Sequence, residues 1–256
     1  MRERKAQVTV FIIIGVVLVA AVIIFFMLYR QGGGISAPSI TEPQQYIEKC
    51  TRDVASDAIE IMLPQGGFIE PKTFKLYNNN KVAYLCYNHF YYQRCIMQVP
   101  LYIQHLESEI TNYITPKVET CFQNLKSDLE KKNYNIGLGE MNITTTLLKD
   151  TVKIKIDRIL DMSRNEEKRR FDSYKTTFNS PLYNLASVAH EIANQEAKYC
   201  YFDYIGYMVL YPKFSIDRKS VGQGLSTSRI YTVEDRYSGK KLWIAVRSCA
   251  IPSGFG

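Results

Sequence analysis

The sequence contains few of the residues, and none of the short motifs, from which the common catalytic and metal sites are built. It has three histidines and one tryptophan in 256 residues. It has no C-x-x-C pair, no G-x-S-x-G elbow and no Walker motif. A compact Cys/His zinc cluster, a serine hydrolase of the common type and a phosphate-binding loop are therefore not expected. We predict that the protein is not an enzyme and uses no metal and no cofactor.

The chain has a modest net positive charge, and part of it lies near the N-terminus. Lys and Arg number 32 against 25 Asp and Glu, a net charge of +7. Residues 1–30 hold four basic residues and one acidic residue, which leaves +4 for the other 226 residues. A nucleic-acid-binding protein is expected to concentrate basic charge on one face. We therefore predict no nucleic-acid partner.

One long apolar run lies near the N-terminus. Residues 8–29 contain no charged side chain, and a helix of 22 residues rises about 30 Å, the thickness of a bilayer's hydrocarbon core. Arg2, Arg4 and Lys5 precede the run, whereas only Arg30 follows it closely. The positive-inside rule then predicts a single-pass protein of the cell membrane, in contact with lipid, with a cytoplasmic N-terminus and an extracytoplasmic C-terminal domain.

This interpretation divides the chain into four segments. Residues 1–7 form a cytoplasmic basic leader and residues 8–29 a transmembrane helix. Residues 30–42 are rich in Gly, Ser and Pro, which is typical of a flexible spacer. Residues 43–256 form the extracytoplasmic domain, with an optional sub-boundary near 135–140, where two glycines follow a long helical pattern.

The N-terminus resembles a known class of signal. Arg4-Lys5-Ala6-Gln7, followed at once by the apolar run, is similar to the processing site of archaeal type IV pilins with a class III signal. That resemblance implies cleavage between Ala6 and Gln7 and a pilin-like subunit, although Phe11 stands where bacterial-type pilins carry Glu. The anchor, Gly66-Gly67 after a Cys-bearing helix, and the strand 243–247 also resemble archaeal single-pass membrane-anchored ectodomain proteins.

Six cysteines follow the apolar run and none lies within it: Cys50, Cys86, Cys95, Cys121, Cys200 and Cys249. An even number in an oxidising compartment is typical of a disulfide framework. Six cysteines allow 15 pairings, and the sequence does not choose among them. We expect two or three structural bridges, with buried free thiols as the alternative.

The predicted elements indicate an α+β domain of antiparallel hairpins and amphipathic helices, stapled by disulfides. Helical stripes run from Pro43 to Pro64 and over 103–129, where Pro116 is expected to kink or split the helix. Asparagines at 78–80 predict a hairpin turn. The other predicted elements are strands at 142–148, 152–157 and 170–178, a helix after Ser180, and a C-terminal hairpin of 229–235 with 241–247.

The sequence also contains weak candidates for catalytic residues and one candidate for glycosylation. His190 and Glu191 come close to the H-E-x-x-H zinc motif, but Asn194 replaces its second histidine. Cys86, near His89, is a candidate thiol nucleophile, although a bridged cysteine is the more common outcome on an oxidising face. Asn142-Ile143-Thr144 is a glycosylation sequon.

Tyrosine is unusually abundant, with 19 residues. Tyr84, Tyr87, Phe90, Tyr91 and Tyr92 fall within nine positions. Exposed, they would form a contact surface; in a half-buried hairpin, the same pattern is ordinary strand composition. We expect a cell-envelope surface protein that acts through contacts with itself or with other envelope proteins. The alternatives are an extracytoplasmic module that binds a ligand or glycan and, third, an envelope hydrolase that uses the weak candidates above.

Overall fold

The computed structural model describes residues 15, 17–20, 22, 42–222 and 228–251. Contacts between Cα atoms divide the chain into two units, Met1–Ser39 and Ile40–Gly256. In the first unit the described residues are helical. The rest of this section concerns the second unit.

The structure corrects the predicted single-pass membrane architecture and the cell-membrane localisation that depended on it. Among the described residues, no helix is both long and apolar enough to cross a membrane. Within the predicted span 8–29, the described helical positions lie between 15 and 22. The other residues of the span, Ala6 and Gln7, and the predicted spacer up to residue 41 lie outside the described residues.

The second unit is α+β. Its helices are α1 (Pro43–Met62), α2 (Tyr102–Glu130), α3 (Leu182–Tyr199) and α4 (Tyr204–Leu210), and a 3₁₀ turn, Leu63–Gln65, follows α1. Its strands are β1 (Phe74–Tyr77), β2 (Asn80–Tyr87), β3 (Ile96–Met97), β4 (Asn135–Leu148), β5 (Thr151–Arg164), β6 (Glu167–Asn179), β7 (Phe214–Val221), β8 (Ser228–Asp235) and β9 (Lys241–Arg247).

The strands form two sheets. The larger has the order β1-β2-β9-β8-β7, and β3 pairs with β2 outside that path. All its pairs are antiparallel except β2 with β9, which is parallel. The smaller sheet is an antiparallel meander, β4-β5-β6. The larger sheet is therefore mixed, a feature that the hairpin pattern did not predict.

The predicted asparagine turn is confirmed. Tyr77 pairs with Asn80, and the two residues between them, Asn78 and Asn79, have φ angles of 47° and 63°. Asparagine adopts this left-handed region more readily than most residues, because its short polar side chain hydrogen-bonds locally.

Helix α2 is continuous over 29 residues, with Pro116 inside it, so the expected split does not occur. Its stripe of Leu106, Ile110, Ile114 and Val118 is fully buried and spans the proline. A proline removes one helical hydrogen bond. The packing of apolar residues on both sides of Pro116 offsets that loss.

A single large buried cluster takes side chains from both sheets and from α1, α2 and α3. Leu129 and Ile136, which flank the start of β4, both belong to it. A second, smaller cluster on the larger sheet contains Val82, Tyr84 and Ile230. Both faces of β2 are therefore covered.

Candidate functional site

All six cysteines are paired, which confirms the predicted disulfide framework. The bonds are Cys50–Cys121, Cys86–Cys95 and Cys200–Cys249, with Cα–Cα distances of 6.5, 5.3 and 5.7 Å. The first joins α1 to α2. The second closes the loop between β2 and β3, and the third joins the end of α3 to the segment after β9.

The loop between β2 and β3 exposes consecutive aromatic side chains. Phe90 and Tyr92 are each 63% exposed, and Tyr91 is exposed between them. Asn88 fixes the loop from within: its Oδ1 accepts from the Phe90 N–H at 2.8 Å, and its Nδ2 donates to the Arg94 carbonyl at 2.7 Å. The side chains are therefore exposed on a backbone that is already ordered.

The segment after β9 binds the same loop by backbone hydrogen bonds. The Cys249 N–H donates to the Gln93 carbonyl at 2.7 Å, and the Tyr92 N–H donates to the Ala250 carbonyl at 2.9 Å. The Cys95 N–H donates to Ser248 Oγ at 3.1 Å. A closed disulfide and contacts from a distant segment together define the loop's conformation.

The third disulfide brings further aromatic residues to this segment. Tyr199 and Tyr201 flank Cys200 and are 57% and 52% exposed. We call Phe90, Tyr91, Tyr92, Tyr199 and Tyr201 the aromatic surface. Its two parts both adjoin residues 248–250.

Helix α4, next in the chain, adds exposed apolar side chains. Ile205, Val209 and Leu210 are all largely exposed, and no residue of α4 is buried. Asp203 Oδ1 caps the helix by accepting from the Gly206 N–H at 3.1 Å. Exposed apolar side chains that are grouped on a surface are typical of a contact site.

A buried carboxylate lies beneath the site. Glu196 of α3 is 0% exposed. Its Oε1 accepts from the Tyr231 hydroxyl at 2.5 Å and from Arg229 Nη1 at 2.7 Å. Arg229 Nη1 also donates to the Cys200 carbonyl at 2.7 Å, and Ser248 Oγ donates to the Glu196 carbonyl at 2.8 Å.

This cluster joins α3, β8 and the two disulfide-linked segments. Burial, with the negative charge of Glu196, raises the pKa of Tyr231 above its ordinary value of 10.0, so the phenol donates to the carboxylate at neutral pH. Glu196 was not predicted from the sequence. The available signal was its position four residues after Ile192, on the buried stripe of the predicted helix.

The predicted contact residues do not all reach the surface. Phe90, Tyr91 and Tyr92 are exposed, and Tyr87 is half-buried with its ring 4.9 Å from that of Tyr84. Tyr84 is a correction: it is 7% exposed, and its hydroxyl lies 2.5 Å from Ser228 Oγ. It is buried because the second cluster covers this face of β2.

The weak catalytic candidates lie on β2 and α3. Cys86 is bonded to Cys95, so the thiol-nucleophile hypothesis is wrong. His190 and Glu191 are half-buried on α3, where Glu191 Oε1 accepts from Gln195 Nε2 at 2.7 Å. Within the described ranges, no group of three or more His, Cys, Asp or Glu side chains could bind a metal ion.

The sequon lies on the meander. Asn142 is exposed on β4, opposite Asp157 of β5, and Thr144 is exposed on the same face. Its glycosylation stays a prediction. The predicted processing site at Ala6 and Gln7 is outside the described residues.

Comparison of the chain with protein-family models, with curated proteins and with solved structures finds no match.

Proposed function

We propose that this protein acts by contact and not by catalysis, as a binding domain of an oxidising, extracytoplasmic compartment that docks a protein partner on the aromatic surface. The observation that carries the proposal is the loop at Phe90–Tyr92, where consecutive exposed aromatic residues are closed by the Cys86–Cys95 bond.

Aromatic side chains of this kind supply most of the binding energy of many protein interfaces. Each buries a large area at a low cost in side-chain entropy, because it has two rotatable bonds. The disulfide and the hydrogen bonds from Asn88 order the loop before any partner arrives. A preordered loop loses less conformational entropy on binding, which raises affinity.

The charges around the aromatic surface indicate what the partner presents. The Arg247 guanidinium lies 5.2 Å from the Tyr91 ring, Lys198 Nζ lies 5.0 Å from the Tyr199 ring, and the Arg218 guanidinium lies 5.8 Å from the Tyr201 ring. The segments 88–95 and 199–201 contain no acidic residue. The complementary surface is apolar with acidic groups at its edge.

The cysteines support the proposed compartment. Three disulfides with no free cysteine persist in an oxidising environment and are rare where thiols are kept reduced. An extracytoplasmic or secreted location supplies that environment.

Site-specific photo-cross-linking in the native cell tests the proposal. Phe90 is replaced by p-benzoylphenylalanine in the full chain, and the matched control carries the same residue at Tyr237, which is 85% exposed in the turn between β8 and β9. We expect a discrete protein adduct from position 90 only. An adduct of twice the chain's mass would identify the partner as a second copy. The absence of an adduct at position 90, or the same adduct from both positions, would overturn the proposal.

A further inference from the structure

The outer face of the meander is a regular array of lysine and threonine side chains. Strand pairing places Thr146, Lys153 and Thr177 in one row and Thr144, Lys155 and Lys175 in the next. All six are exposed. We call these six residues the lysine face. They line a shallow groove of about 440 Å³.

The lysine face contains an arrangement that folding alone disfavours. Lys155 and Lys175 are directly opposite each other on neighbouring strands, and like charges in that position destabilise a sheet. Local conflicts of this kind are expected at functional sites, where another requirement outweighs stability.

Few carboxylates neutralise the face. Lys155 Nζ lies 2.8 Å from Asp157 Oδ2, at one end of the array. Among the described residues, neither Lys153 nor Lys175 has a carboxylate within ion-pair distance. Two ammonium groups are therefore available to an external anion.

We propose that the lysine face binds an anionic polysaccharide, a hydroxyl-rich chain that bears carboxylate or sulfate groups. The ammonium groups pair with the acid groups, and the threonine hydroxyls hydrogen-bond to the sugar hydroxyls. Lys153 and Lys175, the two lysines without a carboxylate partner, are diagonal neighbours on adjacent strands, a separation of about 7–8 Å that lets both contact one bound chain.

The composition of the face favours a polysaccharide over a single-stranded nucleic acid. Proteins that bind single strands combine basic grooves with aromatic side chains on which bases stack. The lysine face contains no aromatic residue. This site is separate in sequence from the aromatic surface, and the inference does not depend on the proposed protein contact.

Binding of dextran sulfate to the full chain tests the inference, with neutral dextran as the uncharged probe of the same backbone and a single-stranded oligonucleotide as the competing polyanion. The protein is produced without N-glycosylation, so that no glycan on Asn142 covers the face. The test variant is K153S/K175S. The matched control, K49S/K132S, removes two exposed lysines, one on α1 and one in the turn after α2, and changes the net charge equally.

We expect dextran sulfate to bind at about 0.15 M salt, where weak long-range attraction is screened, and neutral dextran not to bind. K153S/K175S should weaken binding about tenfold, and the control less than about threefold. Equal losses in the two variants, no binding of dextran sulfate, or tighter binding of the oligonucleotide would each overturn the inference. The thermal midpoint of K153S/K175S should equal or exceed that of the parent, because the variant removes a like-charge pair.

Discussion

Glu196 lies beneath the candidate contact site and is hydrogen-bonded to Arg229 and to Ser248. It is completely buried, and its charge is balanced by Arg229, whose Nη1 lies 2.5 Å from Oε2. A buried pair of this kind contributes little net stability, but removal of one partner leaves an uncompensated charge inside the protein. The pair therefore links α3 to β8 beneath the aromatic surface.

The first prediction concerns that pair. Arg229→Ala should lower the free energy of unfolding by about 3 kcal/mol, because it leaves the buried Glu196 carboxylate without a compensating charge. Arg169→Ala, an exposed position on β6, should change it by less than about 0.5 kcal/mol. Denaturant unfolding with the disulfides intact measures both. Equal effects would show that Glu196 is not buried as a charge.

The second prediction concerns acid stability. Asp235 is 2% exposed, and Lys213 Nζ lies 3.2 Å from its Oδ2. Burial alone would raise the pKa of Asp235, but hydrogen bonds from Ser238 and Lys213 outweigh it and lower that pKa below 3.8. A carboxyl with a lowered pKa adds stability that is present above its unfolded pKa and lost as the pH falls through the folded value.

Asp235→Asn should therefore reduce the loss of stability between pH 7 and pH 3. The measurement is the free energy of unfolding of parent and variant at both pH values. Asp161→Asn, at an exposed position, is the control. An unchanged difference between the two pH values in Asp235→Asn would contradict the assignment.

At the scale of elements, glycines at the end of α1 determine where the chain turns. Gly67 has a φ of 82°, and a Cβ there would lie 2.7 Å from the Tyr102 hydroxyl and would also strike Leu106. Gly239 has a similar φ of 69°, but a Cβ there would meet nothing within 4 Å. Alanine substitutions at the two positions therefore distinguish the cost of backbone strain from the cost of steric overlap.

The third prediction uses this pair. Gly239→Ala should lower the free energy of unfolding by about 1 kcal/mol, the cost of a left-handed alanine. Gly67→Ala should lower the free energy of unfolding by about 1–3 kcal/mol more than Gly239→Ala does, because the added Cβ also overpacks against α2. Unfolding by denaturant measures the difference, and equal losses would contradict the close packing at Gly67.

The disulfides differ in the length of chain that they close. Cys50 and Cys121 are 71 residues apart, whereas Cys86 and Cys95 are nine apart. In the chain-entropy model these bonds stabilise the fold by about 4.4 and about 2.6 kcal/mol. C50A/C121A should therefore lose about 2 kcal/mol more stability than C86A/C95A. Loss of more stability in the short-loop variant would contradict this fourth prediction.

Local patterns in the sequence predicted the elements that depend on local physics. Three examples depend only on residues that are close together in the sequence: the asparagine turn, the apolar stripe of α2, and the alternation at Val152, Ile154 and Ile156. The parallel pairing of β2 with β9 joins strands about 160 residues apart, and no pattern within either strand encodes its partner. The choice among 15 disulfide pairings depends on the same long-range packing.

The exposure of the proposed contact residues was predicted only in part for the same reason. Tyr84 and Phe90 belong to one aromatic sequence cluster, but the packing of Ile230 and Ala245 buries the first and not the second. Tyr199 and Tyr201 join the surface through Cys200–Cys249. The sequence shows that aromatic residues are abundant, and only the tertiary fold shows which of them are exposed to solvent.

At the scale of the whole second unit, the buried core and the proposed contact surface occupy different parts of the fold. One buried cluster unites the two sheets with the three longer helices. The aromatic surface is formed by loop and terminal segments that two disulfides join to that core. Binding residues on loops positioned by a rigid scaffold are a common arrangement in binding proteins.

The measurement that tests this account most directly is the yield of the position-90 photo-adduct in the parent, in C86A/C95A and in C50A/C121A. Because the contact depends on the ordered loop, the yield should fall in C86A/C95A and persist in C50A/C121A wherever that variant is folded. A position-90 adduct of equal yield in the parent and in C86A/C95A, or one also formed from position 237, would contradict a contact surface defined by the disulfide-closed loop.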